Sequence, residues 1–113
     1  PFEIREINIL KDGFQVHFPK PVDPGVAART DSYRLQTYTH IYAKFYGSPE
    51  VDQTTPKVTG VEVEPDGLSV RLQVEGVVEG HIHDFDLGPM RSREGEKLLH
   101  RKAYYTVNEI PRK

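Results

Sequence analysis

Apolar and polar residues alternate along most of this chain with a period of two, and helical periodicity is scarce. Ile4 to Leu10 reads as a first strand. Lys11-Asp12-Gly13 follows as a turn, because Asp-Gly offers the positive φ of a tight hairpin. Phe14, Val16 and Phe18 then share one face while Gln15 and His17 share the other, the pattern of a half-buried strand. Pro19-Lys20-Pro21 ends it, since proline cannot donate to a ladder. Asp23-Pro24-Gly25-Val26-Ala27-Ala28 suits one short helical turn, with Asp23 as N-cap and Pro24 at the first helical position.

Tyr33 to Phe45 is dense in β-formers and predicts one long strand, kinked near Tyr38 to His40 by a bulge or a change of sheet. Gly47 to Pro56 predicts a polar loop. A hairpin follows, with Val58, Val61 and Val63 on one arm and Leu68, Val70, Leu72 and Val74 on the other. Pro65-Asp66-Gly67 is its turn, and the phase break around Gly60 predicts a bulge. After a turn over Gly76 to Gly80, a strand from His81 to Leu87 places His81, His83, Phe85 and Leu87 on one face and Ile82, Asp84 and Asp86 on the other. Gly88 to Lys97 is a loop, and Ala103 to Val107 is the last strand. About seven strands with turn signals about every 8–12 residues define an all-β sandwich or barrel.

Composition narrows the function classes. The 113 residues make one domain, long enough to bury a core without staples. No cysteine is present, so neither disulfides nor thiolate chemistry enter. Fifteen basic and 17 acidic residues give a net charge of -2, spread along the chain. Even the densest basic stretch, Arg91 to Lys102, is broken by Glu94 and Glu96, which speaks for a solvated loop and against nucleic acid. No apolar run approaches the ~18 residues of a membrane span. The chain opens at Pro1 with no leader, which reads as a domain excised from a larger multidomain protein that carries any export signal itself. No Gly-x-Ser-x-Gly elbow and no Gly-rich phosphate loop occurs, so no catalytic residue and no cofactor are expected.

Two stretches resemble bacterial immunoglobulin-like domains of the S-layer-protein (SbsA-like) type. Gly13-Phe14-Gln15-Val16-His17-Phe18-Pro19-Lys20-Pro21-Val22-Asp23 is similar to that family's early strand and its Phe-Ser-Lys-Pro-Val-Asp turn, with Pro19 in the place of Ser. Asp66 to Leu98 follows the family's order of elements, with His83 where the family has Tyr and Ser92 in place of the first acid of the Asp-x-x-Gly-x-x-Leu loop. Three further stretches carry a more specific resemblance: Tyr46 to Asp52, Gly80-His81, and Leu98-Leu99-His100 with Ala103 to Pro111. They resemble a domain near the C-terminus of large secreted proteins of planctomycetes and related bacteria. Those proteins join sugar-dehydrogenase-like propellers, haem-binding modules or cytochrome c domains. The resemblance implies a Greek-key, immunoglobulin-like (fibronectin III-like) sandwich outside the cytoplasm. It implies a non-catalytic accessory or spacer module, monomeric in isolation, whose partners are the neighbouring domains of its parent.

Three groups of side chains are candidates for chemistry. His81 and His83, two apart on one strand face, could reach one metal ion, with His17, His40 or His100 completing the shell. The simpler reading is that His83 takes the place of the family's tyrosine and bonds a turn carbonyl, as a tyrosine corner does. Asp84, Asp86, Glu94 and Glu96 could pair for glycoside hydrolysis, but an outward strand face and a loop make solvated charges the simpler reading. The tyrosines are many for a chain without tryptophan. Tyr42, Tyr46 and Tyr105 are the candidates for stacking on a polysaccharide or a neighbouring domain. Tyr104 and Tyr105 must face opposite ways, one into the core and one out.

Overall fold

The computed structural model describes residues 1–40 and 50–112. Among them are eight strands: β1 (Glu6–Leu10), β2 (Gly13–His17), β3 (Arg34–His40), β4 (Glu50–Thr54), β5 (Lys57–Val63), β6 (Ser69–Glu75), β7 (Ile82–Asp86) and β8 (Lys102–Thr106). Helix α1 (Pro24–Ala27) and a 3₁₀ turn at Thr30–Ser32 lie between β2 and β3. The strands form two antiparallel sheets, β1-β2-β6-β5 and β4-β3-β7-β8. Lettered A, B, C, C′, D, E, F and G in chain order, these are the ABED and C′CFG sheets of an immunoglobulin-like sandwich. The chain changes sheet between β2 and β3, between β4 and β5, and between β6 and β7, which makes the topology a Greek key.

Side-chain alternation builds the core. Phe14 and Val16 of β2 and Val70 and Leu72 of β6 point inward from the first sheet, and Leu35 of β3 and Phe85 of β7 from the second. Phe14 is fully buried and touches three rings of the opposite sheet: Phe85 edge-on at 4.9 Å, His83 at 5.5 Å and Tyr105 edge-on at 5.8 Å between centroids. Phe2 and Phe18 stack at 5.5 Å toward one end.

The local devices act as their residues suggest. Asp23 caps α1, its carboxylate accepting from the Gly25 N–H at 2.9 Å with Pro24 at the first helical position. Gly67 takes φ +73° in the β5–β6 turn, while Asp66 accepts from the Leu68 N–H at 2.9 Å. The β5 register slips between Val58 and Gly60, the bulge expected there.

Two expectations are corrected, and a third falls partly outside the described residues. The polar stretch before Pro56 contains strand β4, which pairs with β3 at the edge of the second sheet. An edge strand is held through its backbone, so a polar sequence such as Glu-Val-Asp-Gln-Thr does not prevent pairing. The strand total therefore rises from about seven to eight. The long strand starting near Tyr33 is described only as β3 to His40, and its continuation to Phe45 lies outside the described residues. Gly13 is not a turn residue with positive φ but the first residue of β2. It is needed for space, because a Cβ there would sit 1.8 Å from the carbonyl oxygen of Leu72.

Phe14→Ala is expected to lower unfolding free energy by about 3–5 kcal/mol, the usual cost of a buried phenylalanine, as read from urea denaturation. In the same assay Gly13→Ala should cost about 2 kcal/mol or more, because Leu72 is fixed backbone that cannot swing away.

Candidate functional site

The described histidine side chains are spread over the fold rather than gathered. His83, the second residue of β7, is completely buried. Its Nδ1–H donates to the His81 carbonyl at 3.2 Å, and its Nε2 accepts from the Val78 N–H at 3.3 Å. A neutral imidazole satisfies both bonds, so both ring nitrogens are committed to the backbone of the turn that feeds β7. Burial pushes the His83 pKa below the ordinary histidine value, and the bond to His81 opposes this only in part. His81 is half-buried, with Nδ1 3.0 Å from the hydroxyl of Thr37, which also bonds the hydroxyl of Thr54. His17 lies on the outer face of the other sheet against Asn8, 2.8 Å away, and His100 is exposed. The side chain of His40 lies outside the described residues. Among the described residues no three metal-ligating side chains converge.

The turn-anchoring role expected of a tyrosine corner is also filled from elsewhere. Tyr33, immediately before β3, is buried, and its hydroxyl donates to the Ala27 carbonyl at 2.6 Å. Burial pushes its pKa up, so it stays a neutral donor. This bond and that of the Ser32 hydroxyl to the Val26 carbonyl at 2.7 Å tie α1 to the start of the second sheet.

Three of the four acids are paired with basic residues. Asp84 meets Lys102 at 3.0 Å, Asp86 meets Arg101 at 2.9 Å and Glu96 meets Lys20 at 3.0 Å, while Glu94 is exposed at the loop tip. Burial raises the Asp86 pKa, but bonds from Arg101 and the Gly88 N–H outweigh it and hold the carboxyl below the usual range. Asp84 likewise holds Lys102 above the ordinary lysine value.

Of the tyrosine candidates, Tyr42 and Tyr46 lie outside the described residues. Tyr105 turns inward onto Phe14, so its ring serves the core rather than an outer contact. The outward partner is Tyr104, 58% exposed, with the Lys102 ammonium 5.8 Å from its ring centroid. Alternation along β8 sets the two rings on opposite sides, and the pairing of Tyr105 with the buried His83 decides that Tyr104 faces out.

Tyr104 stands beside a groove that sequence reasoning did not see. The register aligns Arg34, Asp86 and Lys102 in one row across β3, β7 and β8, and Gln36, Asp84 and Tyr104 in the next. The 3₁₀ turn and the Thr55–Lys57 crossover wall the open end of these rows, leaving an open groove of about 720 Å³. Asp31, Asp84 and Asp86 line it together with Arg34, Lys57 and Lys102. Such a surface can exchange hydrogen bonds with a ligand or a neighbouring domain.

Fold and core geometry together define the class: an all-β, immunoglobulin-like sandwich without an inter-sheet disulfide. No protein-family model matches the chain, and no curated protein matches it. Among solved structures it is similar to the bacterial surface-layer protein SbsC in three forms. These are SbsC domains 1–6 at TM-score 0.69, the S-layer protein rSbsC at 0.69, and the N-terminal part of SbsC at 0.70. In each, identity is 19% over 95% of this chain, a likeness of fold. The chain spans 14% of the length of the first two and 23% of the third. No described helix is long and apolar enough to cross a membrane.

The buried neutral imidazole makes stability depend on pH. Because the folded His83 pKa lies below that of the unfolded chain, the unfolded state binds the extra proton first. The contribution is complete above about pH 6.5, the unfolded histidine value, and is lost as pH falls below it toward the lowered folded value. Urea midpoints are expected to drop between neutral pH and pH 5, and His83→Gln is expected to remove His83's share of that slope. Tyr33→Phe should cost about 1 kcal/mol at neutral pH, measured by the same denaturation.

Proposed function

We propose that this domain is a non-catalytic structural module of a bacterial cell-surface protein, acting outside the cytoplasm to space and orient neighbouring domains. The observation that carries this reading is the likeness of fold to S-layer protein structures over 95% of the chain, where the matched part is a small share of a longer molecule. The physical properties support it. The sandwich is elongated, with principal extents of 48 × 31 × 20 Å, and its core is closed by aromatic contacts between the sheets. Its described carboxylates on β7 are paired with basic residues at the surface, an arrangement suited to solubility and contact rather than proton transfer.

The narrower form of the proposal places the domain in a large secreted protein of planctomycete type, beside sugar-dehydrogenase-like or haem-binding and cytochrome c domains. It rests on the sequence resemblance of Tyr46 to Asp52, Gly80-His81, Leu98 to His100 and Ala103 to Pro111.

Antibodies raised against the folded domain should label intact cells of the source bacterium, and deleting the domain from its parent should shorten the particle in solution scattering while sparing any enzymatic activity. Exclusive cytoplasmic labelling would overturn the reading. So would loss of an activity when Asp84, Asp86, Glu94 and Glu96 are changed to their amides in a domain that still folds.

A further inference from the structure

We propose that the groove along the outer face of β3 and β7 binds a neutral oligosaccharide, with Tyr104, which neighbours the groove-lining Asp84 and Lys102, as the stacking platform. This goes beyond the spacer role and does not depend on it.

Three observations converge. Tyr104 is the one aromatic ring among the large apolar side chains exposed on the described surface. It stands directly opposite Asp84 on β7, with Gln36 beyond it on β3. An exposed ring presents a flat apolar face of the kind that stacks on the C–H face of a pyranose. Lys102, itself held by Asp84 at 3.0 Å, lies 5.8 Å from the ring centroid.

The second observation is charge. Three carboxylates (Asp31, Asp84, Asp86) and three cations (Arg34, Lys57, Lys102) line the groove. Each carboxylate is already engaged: Asp31 with Arg29 at 2.8 Å, Asp84 with Lys102, and Asp86 with Arg101. A polyanion would meet these acids, and a metal ion would have to displace their partners. Sugar hydroxyls, each both donor and acceptor, can bond to carboxylate, guanidinium and carboxamide alike without carrying charge into the groove. Gln36 adds a carboxamide to this set.

The third is size. The groove's volume of about 720 Å³ lies within the range of roughly 300–1,000 Å³ typical of small-molecule sites. Because it is open, it suits a stretch of chain rather than an enclosed monosaccharide.

The test is a nitrogen-15 NMR titration of the 113-residue protein with cellohexaose, chitohexaose, xylohexaose and mannohexaose. Concentrations up to about 5 mM suffice to detect millimolar affinity. At least one of the four should shift the amide signals of Arg34, Gln36, Asp84 and Tyr104 together. Tyr104→Ala should weaken that binding roughly tenfold, the factor that about 1.4 kcal/mol of stacking corresponds to, while leaving the urea midpoint unchanged. Added salt should leave the affinity unaltered. Absence of shifts with all four sugars, shifts confined to another surface, undiminished binding by Tyr104→Ala, or an affinity that falls with salt would each overturn the proposal.

Discussion

The contact of Phe14 with Phe85 carries the architecture. It lies between strands B and F, where antibody domains place their inter-sheet disulfide. This chain has neither cysteine nor tryptophan, so a ring on one sheet set edge-on against a ring of the other takes that position. An edge-to-face pair contributes about 0.5–1.5 kcal/mol beyond the burial of its area. Its larger effect is positional. With Phe14 fixed, His83 and Tyr105 must pack around it, and strands β7 and β8 acquire a single inward face. Their outward face follows by alternation, and with it the two rows that hold Asp86 with Lys102 and Asp84 with Tyr104.

One end of the sandwich is closed by backbone rather than by side chains. The segment between β2 and α1 runs between the two sheets and bonds to both. Phe18 N–H donates to Leu68 and Val22 N–H to Gly67 in the first sheet's turn. Asp23 N–H donates to Arg91, and Arg93 N–H returns a bond to Pro21, from the loop of the second. Pro19 and Pro21 fit this path because they stiffen a segment whose Phe18, Val22 and Asp23 donors are used. Ser92 explains a departure noted in the sequence. Its hydroxyl accepts from the Glu96 N–H at 3.0 Å and so closes the loop from the position of the family's first acid. Tyr33 secures the neighbouring α1 turn in the same way, with a buried hydroxyl on a free helix-end carbonyl.

Much of this was legible without coordinates. The Asp23 cap, the Gly67 turn and the Gly60 bulge follow from local chemistry, and the structure has each where the residues imply it. The opposite facing of Tyr104 and Tyr105 was legible too, though not which of them faced out. That needed the register of β8 on β7, which pairs Tyr105 with the buried His83. Strand β4 was missed because its pairing is made by backbone groups, which every residue carries, and not by an apolar stripe. Gly13 was misjudged for a related reason. The Asp-Gly pair is a turn signal, but the close approach of Leu72 comes from a strand nearly 60 residues away in the chain.

By itself, the order of residues determined the period of two, most of the turns and the cap, because each depends on neighbours a few positions apart, and the composition determined the absence of cysteine chemistry. Only the tertiary structure decided which strands pair and that both nitrogens of His83 are spent on backbone. It alone set Arg34, Asp86 and Lys102 in one row to make a groove. These depend on atoms brought together from distant parts of the chain, and their arrangement is set by burial and register rather than by local preference.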